Sequence, residues 1–277
     1  SAAATKYLAF PFLKTGQRFS HKLVVFPFDS YAIFACLISQ IHTIFAEFTS
    51  GTMGISQSYN PTDSLETFPF PFDISKVKDP SFLNNSHYKK LYELGMEYHN
   101  LRADIMDKKK IGLTNLYNLF HNPNTEDTEI INLRSIHEKI DRNVLKLYEW
   151  DQIKMKYGYS IENIDSLIME EDIKLPTEFE QRIEDENFFF ENKNQASLFK
   201  SQFNSIIKNK QEIKWRYQWD NQTIKKVIEN LFELNTLRSQ QENENEMISI
   251  KKKKSTSSGK IRLQKAPNEQ IQIGLEL

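Results

Sequence analysis

Two prolines separated by a single residue, Pro69 and Pro71 in the run "ETFPFPF" from Glu66 to Phe72, constrain this chain more than any other local feature. A proline ring fixes φ at about −65° and pushes the residue before it out of the helical region, so Phe68 to Phe72 must be extended. Phe68, Phe70 and Phe72 then share one face of a stiff segment. Three rings on one face predict a plug for a hydrophobic core. Composition changes soon after the run, which makes it a natural junction between a strand-bearing part and a helical one.

Upstream of that junction, roughly residues 1–85, β-branched and aromatic residues dominate. "YLAFPF", "LVVFPF" and "SYNPTDSLETFPF" read as short strands, with prolines suited to edges or strand ends. Between the second and third lies a helix, capped by Asp29 or Ser30. It carries Ile33, Leu37, Ile41, Ile44, Phe45 and Phe48 at helical spacing until Thr49, Ser50 and Gly51 stop it.

From about residue 86 the chain turns to Lys, Glu, Asn, Leu and Ile with almost no strand signal. Leu91, Leu94, Tyr98, Leu101 and Ile105 step by three and four, as do Leu133, Ile136, Ile140, Val144 and Leu147. Two helices packed along these seams are expected, with a short helix ended by Asn122, Pro123 and Asn124 between them. Residues 151–213, acidic and rich in Asn and Lys, read as a peripheral insertion, helical in pieces such as "EFEQRIEDENFFF" and "QASLFKSQFNSIIK". A last helix begins at Asp220 as N-cap and carries Ile224, Val227, Ile228, Leu231, Leu234 and Leu237. Residues 240–277 lack a sustained apolar face and are expected to be a flexible tail. The expected fold class is α+β: a small strand and helix part over 1–85, then a mainly helical bundle over 86–239.

At 277 residues with a formal charge of −1, the chain lacks the basic excess of a protein that binds nucleic acid by overall charge alone. Its longest apolar stretch, "YAIFACLISQIHTIFAEF", is interrupted by Ser39, Gln40, His42, Thr43 and Glu47, too polar for a membrane span. Cys36 is the only cysteine, which excludes an intrachain disulfide and points to a reducing, cytoplasmic setting. No Gly-rich phosphate loop, H-E-x-x-H or G-x-S-x-G occurs, so no catalytic residue is assigned. The six histidines are scattered without zinc-type spacing, and no metal site is expected. D/E-x-K tripeptides at 172–174, 191–193 and 212–214 are what chance supplies in so charged a segment. "KTGQRFSHK" is the better candidate surface: Lys14, Arg18, His21 and Lys22 sit on a Gly-containing loop between expected strands, where they could reach phosphates or a groove. The Lys251–Lys254 run, with Lys260, Arg262 and Lys265, could add salt-sensitive contacts.

Several ordered blocks carry a family resemblance. A helix with Ser39 and His42 in Ser-x-x-His spacing leads to Tyr59, Pro61 and Thr62, and then to Glu66, Thr67, Phe68, Pro69, Phe70 and Pro71. This order resembles the end of the target recognition domain in MmeI-like restriction-modification enzymes and related adenine-specific DNA methyltransferases. Downstream, Leu113, Thr114, Tyr117, Asn118, Phe120 and His121, then Ile136, His137, Asp141 and Val144, are similar to that family's C-terminal helical region. The resemblance spans most of 7–150 and about 215–239; residues 151–213 and the "GTMGIS" linker depart from it. It implies that this chain is a C-terminal fragment without the Asn-Pro-Pro-Tyr element and the cofactor-binding segments. It implies further that S-adenosylmethionine serves the parent enzyme, which has possible endonuclease activity. The implied partners are double-stranded DNA and the upstream methyltransferase domain. The alternative is a helical protein-interaction module without DNA contact.

Overall fold

The computed structural model of the protein describes residues 4–13, 16, 18–21, 23–50, 52–53, 56–162, 177–184, 188–206 and 213–257. The fold is α+β and mostly helical. Helix α1 (Tyr31–Ile38) begins where the Ser30 hydroxyl accepts the Ala32 N–H, and every residue from Ala32 to Ile38 is buried. A helix apolar on all sides must lie inside, and α1 is the central element. It packs against α3 (Ser86–Lys109), which in turn packs against α5 (Thr128–Leu147).

Most of the seams expected from sequence form the core: Leu91, Leu94, Tyr98 and Ile105 on α3 and Leu133, Ile136, Ile140 and Val144 on α5 are buried, while Leu101 and Leu147 are half-buried. Asn85 caps α3 and Asp127 caps α5, each side chain accepting two backbone N–H groups. Short α4 (Leu113–His121) lies between them and buries Leu116, Tyr117 and Phe120.

The single helix expected after Ser30 is in fact two. α1 stops at Ile38, and α2 (Gln40–Thr49) starts after Ser39, whose φ of −64° and ψ of 155° are extended. The pair is bent by 60°, and among the described residues no single helix is long and apolar enough to cross a membrane. Apolar periodicity runs unbroken through the bend, which hides it from a pattern search.

Among the described residues, two small antiparallel sheets accompany the helices. In the first, β1 (Ala4–Thr5), β2 (Thr52–Met53) and β3 (Ser56–Ser58) pair in the order β1-β3-β2. The expected strands "YLAFPF" and "LVVFPF" are instead irregular from Tyr7 to Leu13 and from Val24 to Ser30, and "NPTDSLE" folds into a π-helical turn at Thr62–Glu66. The second sheet, β5-β4-β6, lies where no strand was expected: β4 (Tyr157–Ile161), β5 (Phe189–Phe190) and β6 (Trp215–Trp219). Its register pairs Tyr157 with Trp219, Tyr159 with Tyr217 and Ile161 with Trp215, so one face is almost entirely aromatic. "YGYSI" and "WRYQW" alternate with period two, and cross-strand ring packing outweighs the helix-forming composition around them. Beside this sheet are α6 (Thr177–Glu184) and α7 (Lys193–Ile206); Ala196 and Phe199 of α7 close a cluster with Phe190, Ile213 and Trp215.

Contacts divide the chain into Ser1–Glu233 and Leu234–Leu277. Asp220 caps α8 (Asn221–Ser257) as expected, accepting the Thr223 N–H at 2.8 Å, and Val227 and Leu231 are fully buried. In the second unit the helix continues to Ser257, well past the end of its apolar pattern. Gln, Glu, Met and Lys are good helix formers, and intrinsic propensity favours the helix where periodicity gives no signal.

Gly95 is where α1 and α3 come closest. A Cβ there would stand 2.2 Å from the Tyr31 carbonyl oxygen and 3.0 Å from the Ala35 Cβ. We expect Gly95→Ala to lower the unfolding free energy by about 1–3 kcal/mol in chemical denaturation, because backbone cannot yield as a flexible side chain can. An unchanged midpoint would mean that the helices separate without cost.

Candidate functional site

The Ser39 bend organises the interior. Its Oγ donates to the Cys36 carbonyl at 2.6 Å and accepts the His42 N–H at 3.3 Å, closing one helix and opening the next. One turn on, His42 Nε2 lies 3.1 Å from the Tyr59 hydroxyl, and the His42 ring meets Phe68 edge-on at 4.6 Å between centroids. Burial drives the His42 pKa down to about 3, so the ring is neutral at physiological pH, and burial pushes the Tyr59 phenol up.

From Phe68 the aromatic contacts continue through Phe70 and Phe72 to Phe82, with successive centroids 4.9, 6.0 and 5.5 Å apart. All three phenylalanines of the run are buried, as the one-face expectation requires. Tyr148, at the end of α5, donates its hydroxyl proton to the Pro69 carbonyl at 2.8 Å. Just upstream, Ser64 in the π-helical turn is buried against Ser50 and the Thr49 hydroxyl, fastening the turn to the end of α2.

Asp141, fully buried, gathers three segments. Its Oδ1 accepts the Gln40 N–H at 2.8 Å, its Oδ2 accepts the Tyr157 hydroxyl, and Oδ2 lies 3.4 Å from His137 Nδ1. At that separation the last contact is not a hydrogen bond, and His137 Nδ1 has no other partner among the described residues. His137 Nε2 is 2.8 Å from the Ile38 carbonyl. Two arginines act similarly. Arg134 donates to the carbonyls of Leu119, Phe120 and Asn122 and to the Tyr159 hydroxyl, and Arg102 donates to the Phe10 carbonyl at 2.9 Å and the Tyr117 hydroxyl at 3.3 Å. His121 Nδ1 accepts the Tyr217 N–H at 3.0 Å; burial, with Arg216 and Arg134 nearby, holds its pKa well below the ordinary value.

Ser39, His42, Tyr59, Phe68, Pro69, Phe70, Tyr117, His137 and Asp141 are therefore buried, several of them in direct contact. Pro61 and Pro71 are half-buried. Thr62, Glu66, Thr67, Thr114 and Asn118 are exposed. Asn118 nonetheless accepts from Lys6 Nζ at 2.7 Å and from the Tyr7 hydroxyl at 2.8 Å. Of the basic loop, Arg18 and His21 are exposed beside Gly16, which turns with φ of 83°, while Lys14 and Lys22 lie outside the described residues. The Lys251–Lys254 side chains, and residues 260, 262 and 265, also lie outside them. Residue-by-residue reading missed Arg102, Arg134, Tyr157, Tyr159 and Tyr217; the period-two aromatics could have revealed the last three.

Beside this interior lies an apolar cavity of about 810 Å³, walled by residues such as Phe10, Phe12, Phe26, Phe28, Phe34 and Leu37. Leu13, Phe19, Leu23 and Val25, which also line it, are exposed apolar side chains. Its single carboxylate, Asp29, lies 3.7 Å from Lys78 Nζ. Tyr7, Ser30, Thr114 and Tyr117 also line it. Among the described residues no group of three or more His, Cys, Asp or Glu is placed to hold a metal ion. Burial pushes the Cys36 thiol pKa up, so it behaves as a core hydrophobe. No family model, curated protein or solved structure matches the chain.

This arrangement makes the Phe68 ring the support of the bend and the Tyr59 hydroxyl its polar fastening. Phe68→Ala is expected to cost about 3–5 kcal/mol of stability, and Tyr59→Phe about 1–2 kcal/mol, by urea unfolding. A Tyr59→Phe protein as stable as the parent would show that His42 gains nothing from the contact.

Proposed function

We propose that this chain is the DNA target-recognition and scaffold region of a site-specific adenine DNA methyltransferase or fused restriction-modification enzyme. In such an enzyme S-adenosylmethionine would be bound and the methyl group transferred by the methyltransferase domain. This chain would hold the recognition surface in register with that domain. The observation that carries the reading is that resemblance-bearing residues surround one bend: His42 meets Tyr59 and Phe68, the Pro69 carbonyl accepts the Tyr148 hydroxyl, and His137 and Asp141 contact Ile38 and Gln40 on either side of Ser39. Residues about a hundred positions apart in sequence brace one bend, as a shared scaffold would require.

Recognition by hydrogen bonds to base edges tolerates little displacement, because a contact stretched beyond about 3.5 Å is no longer a hydrogen bond. A rigid exit at "ETFPFPF" suits that demand. Arg18 and His21, exposed on their loop, supply the chemistry for phosphate or groove contacts, and Lys14 and Lys22 add charge to the same stretch.

A second reading, protein interaction without DNA contact, is favoured by a different observation: the exposed Leu13, Phe19, Leu23 and Val25 around the apolar cavity. The two readings part on salt dependence. Fluorescence anisotropy of the 277-residue chain with a mixed-sequence duplex is expected to give an affinity that falls steeply between low and physiological salt. Replacing Lys14, Arg18, His21 and Lys22 by Ala together should flatten the log–log salt slope by about 3. Absence of binding at low salt would leave the interaction reading in place.

A further inference from the structure

We propose that His137 is a buried imidazolium that clasps the Ser39 corner to α5 and the second sheet, so that loss of one proton loosens this joint. The geometry requires one N–H on the ring and places the other nitrogen beside a carboxylate. Ile38 offers His137 a carbonyl oxygen at 2.8 Å, which can only accept, so Nε2 carries a proton. On the other side Nδ1 faces Asp141 Oδ2 at 3.4 Å and has no aligned hydrogen-bond partner. A neutral ring would aim a lone pair at a carboxylate in a region of low dielectric; a protonated ring aims an N–H there instead.

The surroundings favour the same state. Asp141 accepts from Gln40 and Tyr157, so its two oxygens are already held by donors. Glu138, one residue along α5, adds negative charge and accepts the Tyr217 hydroxyl of β6 at 2.5 Å. From α4, His121 faces the ring as a neutral imidazole; from α3, Tyr98 lies 5.9 Å away between centroids; from α1, the Cys36 thiol faces Asp141. Arg134, on the preceding turn of α5, is engaged with three carbonyls and the Tyr159 hydroxyl. Burial opposes the charge on His137, but Asp141 and the Ile38 carbonyl outweigh it and raise its pKa above the ordinary value. A hollow of about 40 Å³, lined by His137, His121 and Gln40 with Glu47 and Arg216, is large enough to hold water beside the ring.

Because the folded pKa lies above the unfolded one, the clasp contributes stability in full below about pH 6.5 and loses it as pH rises through the folded value. The test is ring NMR of the whole chain between about pH 5 and 9.5, with His137→Gln to assign the resonance. His137 should be doubly protonated at pH 6 and titrate above the unfolded value, and exchange of the Gln40 amide, corrected for intrinsic rates, should accelerate through the same midpoint. Asp141→Asn should bring the His137 midpoint down by more than one pH unit. A His137 ring neutral at pH 6, or Gln40 exchange indifferent to its titration, would overturn the proposal. If Asp141→Asn does not fold, the parent protein's two readouts decide alone.

Discussion

A carboxylate with no solvent exposure is tolerable only when its charge is compensated and its lone pairs are filled. Asp141 meets that condition by drawing on Gln40 from α2, His137 from α5 and Tyr157 from β4. Its two donors, Gln40 and Tyr157, lie on α2 and β4 while Asp141 and His137 lie on α5, so satisfying one side chain fixes where three elements meet. The Gln40 amide is one of the orphan donors at the start of α2, and a carboxylate there also complements the helix dipole. The bend at Ser39 is thereby held from both sides: the serine hydroxyl closes α1 and opens α2, while Asp141 occupies the freed amide.

The buried arginines extend the same logic to parts of the chain that have no ladder to join. A helix C-terminus leaves carbonyls short of partners, and at the end of α4 Arg134 donates to the Phe120 carbonyl and adds a second donor at those of Leu119 and Asn122, which also accept backbone N–H groups. Its guanidinium also stands over the rings of Phe120, Tyr159 and Tyr217, which joins α4 and α5 to the second sheet. Arg102 reaches the Phe10 carbonyl, tying down a segment of irregular backbone. Backbone polar groups that a sheet would have satisfied are met here by long cationic side chains.

Local rules were enough to narrow the first cap to Asp29 or Ser30, to place the cap at Asp220, and to find most of the apolar seams of α3 and α5 and the inward face of the Pro-Phe run, because each depends on neighbours within a turn or two. They failed where pairing is non-local. Tyr157 and Trp219 face each other across more than sixty residues of charged sequence, and nothing within either strand names its partner. They failed too at Ser39, where the signal for a break is one hydroxyl inside an unbroken apolar pattern. For the candidate site, the resemblance drew attention to Ser39, His42, Tyr59, His137 and Asp141 but said nothing of why they belong together. The basic loop was legible only as exposed charge on a turn.

That distinction bears on what a resemblance of this kind can mean. His42, Tyr59, Phe68, His137 and Asp141 are explained by packing, capping and charge compensation, so sharing them argues for a shared scaffold and carries no information about chemistry. Thr62, Glu66, Thr67 and Thr114 are exposed and do no such interior work. Under the proposed function, specificity would reside in exposed positions such as these and in loops like the one bearing Arg18 and His21, while the buried set holds them in place. A scaffold built this way can change what it reads without changing how it folds, since a surface side chain can be exchanged at little cost while a member of the Asp141 cluster cannot.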